Sequence, residues 1–151
     1  MNIATDIREK MKQAMRDKDQ AALDTYRGTL SAFTNELVAA GKTPQDEVTD
    51  EMALKVIQKI IKQRKDSISQ FEAGGRADLA ADEKAQLSYL EVFQPAQMAE
   101  ADIRAIAETK KAELNVTDKA KAGILTGAVM KEVAGRADGQ VVKQIVESLF
   151  N

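Results

Sequence analysis

The chain has 151 residues, with 22 Lys and Arg against 24 Asp and Glu for a net charge of −2, and it contains neither cysteine nor histidine. Without cysteine there is no disulfide framework and no thiolate metal site; without histidine the commonest metal ligand, the usual proton carrier near neutrality and every Ser-His or Cys-His nucleophile arrangement are gone. Near-neutral charge gives no global pull towards nucleic acid, so any RNA contact has to come from a local patch. Apolar residues recur at spacings of three and four almost throughout, and strand-like alternation is nearly missing, so an all-α fold is expected. No apolar run approaches the roughly 20 residues that span a bilayer. Met1–Lys10 lacks the basic and then apolar pattern of a secretory signal, and with a composition suited to a reducing cytosol the expectation is a cytoplasmic protein without membrane contacts.

The first predicted helix carries Ile3, Ile7, Met11 and Met15. Asp19 is placed as the cap of a second, whose stripe of Leu23, Tyr26, Leu30, Phe33 and Leu37 reads as the seam of a helical hairpin. Gly41 ends it, and Thr43-Pro44 is either a turn or a fresh helix start. A long third helix is predicted from about Thr49 to Phe71, closed by Gly74-Gly75, and a fourth opens at Asp78 with Leu79, Leu87 and Leu90. At Phe93-Gln94-Pro95 the pattern breaks, because proline disfavours helix in the residue before it and cannot donate within one. The predicted organisation is an N-terminal helical hairpin part, residues 1–94, and a compact multihelical C-terminal part, residues 95–151. The second part holds a helix with Ile103 and Ile106, a loop at Asn115, a helix from Thr117 or Asp118 to Val133, and a last helix to Leu149.

Gly135 to Gly139 marks a tight join between the last two helices. Gly135 suits a left-handed residue after a helix end, and Asp138 suits an N-cap, with only Arg136 and Ala137 between the two. Such a corner points Arg136 outward as a candidate anion contact, or it only folds well. Gly123 and Gly127 share a helical face, each costing about 1 kcal/mol relative to alanine. They serve either close helix packing or close approach of a ligand backbone, with Lys119, Lys121 and Lys131 nearby. On the third helix Lys55, Lys59, Lys62 and Asp66 form a stripe, read as a solvated face or a phosphate track. Arg64 falls on the apolar face of that helix, where a guanidinium is paired within the chain or lines a groove. Tyr26 and Phe33 are read as core, and Tyr89 and Phe93 as cement at the joint between the two parts. No P-loop, dinucleotide-binding glycine pattern, HExxH or amidase-like Ser-Ser-Lys arrangement is present, and the carboxylates fall where amphipathic helices face water. No catalytic residue, metal ligand or cofactor site is assigned.

Gln63-Arg64-Lys65-Asp66-Ser67 with Phe71 and Gly75-Arg76-Ala77-Asp78-Leu79, the Tyr89-Leu90 to Pro95 joint, and the stretch from Gly123 to Gly139 together resemble the GatB/YqeY family, in particular its free-standing YqeY-like members. The resemblance covers nearly the whole chain and implies a helical hairpin part followed by a compact helical part. It also implies that the C-terminal part is similar to the tail of the B subunit of the glutamine-dependent tRNA amidotransferase, a tRNA-contacting appendage outside the chemistry. The implied function is a non-catalytic accessory module that binds tRNA, a tRNA-handling enzyme or amidotransferase subunits, through Lys119, Lys121, Gly123, Gly127, Lys131 and Arg136. Many family members place Lys where this chain has Ile124, which removes one possible phosphate contact. The alternatives are a protein-docking module, and a component of a carbon–nitrogen ligase with glutamine as amide donor, the activity often attached to the family.

Overall fold

The computed structural model describes residues 2–95, 97–133 and 135–150. Among them are seven α-helices, one 3-10 turn and no strand. They form two compact units, Met1–Gln94 and Pro95–Asn151.

In the first unit, α1 (Ile3–Asp17) pairs with α2 (Gln20–Ala39), and α3 (Asp50–Ala73) with α4 (Ala77–Glu91); α2 also packs on both α3 and α4. Asn2 starts α1 by accepting the Thr5 amide at 2.8 Å. Ala4, Ile7 and Ala14 form the buried side of α1, whereas Met15, expected on this stripe, is 51% exposed. Steps of four residues drift about 40° each around a helix, and the stripe returns to the core by a step of three to Ala14. Lys18 ends α1 in the left-handed region at φ 55°. The next residue is the α2 cap: Asp19 accepts the Ala22 amide at 3.1 Å.

Tyr26, Phe33 and Leu37 lie in the core as expected, together with Ile7, Ile57 and Leu90. Thr25 and Thr29 are also buried, and their hydroxyls donate to the carbonyls of Ala21 and Thr25, both at 2.8 Å. Those bonds satisfy groups that would otherwise be costly inside. Thr43-Pro44 belongs to a turn in which Asp46 Oδ2 accepts the Thr43 amide at 2.7 Å, and α3 begins only after the Thr49 cap. At the far end of α3, Gly75 takes φ +72°. Helix α4 begins at Ala77, and Asp78 in its first turn binds the Arg76 guanidinium at 3.2 Å rather than capping the backbone. Tyr89 and Phe93 pack on this same core.

In the second unit, α5 (Glu100–Glu113), α6 (Ala122–Val133) and α7 (Gly139–Ser148) each pack against the other two. Ile103, Ala107, Leu125, Val129, Val133, Val142 and Val146 fill the space between them. Asn115, in the left-handed region at φ 52°, turns the chain out of α5, and the buried Val116 anchors the link. A 3-10 turn over Lys119–Lys121, capped by Asp118 through the Ala120 amide at 3.0 Å, leads into α6. No helix among the described residues is long and apolar enough to cross a membrane.

Candidate nucleic-acid interface

Helix α6 buries Leu125, Val129 and Val133, spaced by four, and so turns the opposite side to water. Gly123, Ile124, Gly127 and Lys131 stand on that outer side, all exposed. A Cβ added at Gly123 or Gly127 would meet no heavy atom within 4 Å. Close packing within the unit, one of the two uses expected for these glycines, is therefore not their role. They leave a strip of bare backbone on a helix that would be more stable with alanine by about 1 kcal/mol at each position. Ile124, 64% exposed, sits beside the strip.

Lysines frame this face. Lys119 and Lys121 lie in the 3-10 turn at its entry and Lys131 in its last turn, all exposed. Among the described residues none of the three lies in an ion pair, whereas Lys110 on α5 is shared between Glu113 and Glu132 at 3.3 and 3.9 Å. A cation that is not engaged in an ion pair is free to meet an incoming anion.

The corner after α6 is built as the spacing predicts. Gly135 takes φ +80°, and Asp138 Oδ1 accepts the Gln140 amide at 2.8 Å to start α7. Ala137, between them, is buried and holds the turn down. Arg136 is exposed but does not simply project outward. Its Nε donates to the Val133 carbonyl at 3.1 Å, and its own carbonyl accepts the Met98 amide at 2.8 Å. The guanidinium is thus drawn over the C-terminal end of α6, where helix-end carbonyls favour a cation, and among the described residues its terminal nitrogens have no partner.

Arg64 has the other placement that the sequence allowed, a pair within the chain. It reaches from α3 to Glu83 on α4 at 3.1 Å and also donates to Gln86. Lys55, Lys59 and Lys62 face water on α3, as does Asp66. Their stripe belongs to the first unit. Among the described residues no group of three or more acidic side chains is arranged to hold a metal ion.

The fold and this surface define an all-helical protein of two units with an open, lysine-framed helix face. A family model described as Yqey-like protein matches residues 4–150, and the chain belongs to the YqeY-like family. It is 32% identical over 146 residues to the altered inheritance of mitochondria protein 41 of Pyrenophora tritici-repentis, covering 95% of this chain and 78% of that one. An uncharacterised Schizosaccharomyces pombe protein is 38% identical over 96 residues, 62% of this chain and 73% of its own length. The protein 41 of Vanderwaltozyma polyspora is 36% identical over 87 residues, 58% of this chain and 45% of its own.

These names correct the cytoplasmic expectation, since the relatives so named are mitochondrial proteins. Cysteine-free composition reports a compartment where disulfides are not needed and does not say which one. The names mention neither RNA nor transamidation.

Proposed function

We propose that the protein is a non-catalytic, tRNA-binding accessory module that contacts the ribose–phosphate backbone with the outer face of α6. The observation that carries this reading is the open glycine strip at Gly123 and Gly127, where an added Cβ would meet no heavy atom of the neighbouring described residues within 4 Å, set between Lys119, Lys121 and Lys131. Bare helix backbone lets a polyanion come close, and mobile ammonium groups on a rigid support need no further geometry to hold phosphates. Arg136 extends the cationic surface at the α6–α7 corner. Resemblance to the tail of the amidotransferase B subunit adds tRNA-handling enzymes, including amidotransferase subunits, as partners at the same surface.

A second reading, a protein-docking face, draws on Ile124, an apolar side chain left 64% exposed beside the glycines. An apolar anchor next to a strip without Cβ atoms suits a helix of another protein. Salt separates the two, because phosphate contacts weaken steeply with salt and apolar docking does not.

The test is fluorescence anisotropy of labelled bulk tRNA against the full chain over a salt series. Binding that weakens with salt, and whose salt slope falls by about one for each of Lys119→Ala, Lys121→Ala and Lys131→Ala, supports the RNA reading. Absence of binding at low salt defeats it and leaves the docking reading. Glutamine hydrolysis by the isolated chain would overturn the non-catalytic part and favour the ligase alternative.

A further inference from the structure

The second unit has a cavity of about 420 Å³, widely open to solvent, at the C-terminal ends of α5 and α7, lined by Glu108, Lys111, Ala112, Asn115, Val116, Thr117 and Leu149. It shares no residue with the α6 face. Its apolar lining comes from Ala112, Val116 and Leu149, and its polar lining includes two opposite charges one helical turn apart. Lys111 is half-buried: its Nζ donates to the Leu149 carbonyl at 3.0 Å and lies 4.6 Å from the centre of the Phe150 ring. Those contacts hold the ammonium in place without neutralising it, since a carbonyl and a ring face carry no net charge and an ammonium has three donors. Glu108 is exposed, and among the described residues neither it nor Lys111 takes part in an ion pair.

We propose that this cavity binds a small zwitterion with an aliphatic body, such as a free α-amino acid, with its carboxylate on Lys111, its ammonium on Glu108 and its hydrocarbon on Ala112, Val116 and Leu149. A ligand of single charge is attracted by one rim group and repelled by the other, whereas a zwitterion meets both. The volume falls in the range of small-molecule sites, and apolar walls with a few fixed polar groups are their usual lining. Because Lys111 is already held by Leu149 and Phe150, it loses little freedom when the ligand arrives.

The experiment is a titration of the full chain, followed by its ¹H–¹⁵N spectrum, with L-leucine, glycine, N-acetyl-L-leucine and L-leucinamide at millimolar concentrations. Shifts with leucine should concentrate at the amides of residues 108–117 and of Leu149. Affinity should fall by about tenfold or more for the acetylated compound, for the amide and for glycine. Glu108→Gln, a change at an exposed position that leaves the fold intact, should weaken leucine to a similar degree, and Lys111→Met should do so while keeping its stem over Phe150. Absence of shifts with leucine, equal response to the single-charge compounds, or full affinity in Glu108→Gln would each overturn the assignment.

Discussion

The Arg64 guanidinium donates to the Glu83 carboxylate at 3.1 Å and so ties α3 to α4, with both side chains about three-quarters covered, at 20% and 26% exposure. Gln86 accepts from the same Nη1, while the buried Nε has no partner among the described residues. A pair set this deep is charged and hydrogen-bonded but not fully removed from water, so its loss should cost less than that of a core ion pair.

Arg64→Leu should therefore lower unfolding stability by about 1–2 kcal/mol in urea denaturation and leave tRNA affinity unchanged. Unchanged stability together with lost RNA binding would move Arg64 from the scaffold into the site.

Tyr89 and Tyr26 form a pH-sensitive pair in the first unit. The Tyr89 hydroxyl donates to Asp19 Oδ2 at 3.2 Å, and its ring meets the Tyr26 ring edge-on with centroids 5.9 Å apart. Burial pushes the Tyr26 phenol up, with Tyr89, Asp19 and Asp6 adding to it; burial and then the bond and charge of Asp19 push Tyr89 up. A folded value above the unfolded one, about 10, means that the contribution is complete below pH 10 and is lost as pH rises through the folded values. Stability should then decline above about pH 10, in step with tyrosinate absorbance, and Tyr89→Phe should make that decline shallower. Stability that is flat while tyrosinate forms would contradict the coupling.

Gly123→Ala and Gly127→Ala should each raise stability, by up to about 1 kcal/mol, because a methyl group meets open space and helical preference improves. If the glycine strip receives RNA, the same variants should weaken tRNA binding. Gly28→Ala, in the middle of α2 with nothing within 4 Å, provides the control: similar stabilisation and unchanged binding. Thermal melts and anisotropy on the three variants separate stability from recognition.

Gly135→Ala should destabilise the second unit by about 1–2 kcal/mol, because a side chain is forced to φ +80°. Asp138→Ala should cost about 1 kcal/mol through loss of the α7 cap. Both effects should show in chemical denaturation of the full chain. An Asp138→Asn variant that keeps most of the stability would identify the lost hydrogen bond rather than the charge as the cause.

Much of the fold was written locally. The caps at Asp19 and Asp138 and the left-handed Gly135 depend on a few neighbouring residues, so spacing alone locates them, and the same holds for the helix start at Thr49 and the helix ends at Gly41 and Gly74-Gly75. The all-α class follows from the three-and-four recurrence of apolar residues, a property of the chain itself. What surrounds a given side chain was decided only by packing. The same spacing that puts Met15 on a stripe leaves it half exposed, and buried Thr25 and Thr29 look polar in the sequence. Gly123 and Gly127 fit tight packing and open approach equally well until neighbouring helices take their places and leave the strip bare. Arg64 and Lys111 each have several partners in reach along the sequence. Which carboxylate, carbonyl or ring receives each cation depends on residues 19 and 38 or more positions away, brought near only when each unit closes around its own apolar core.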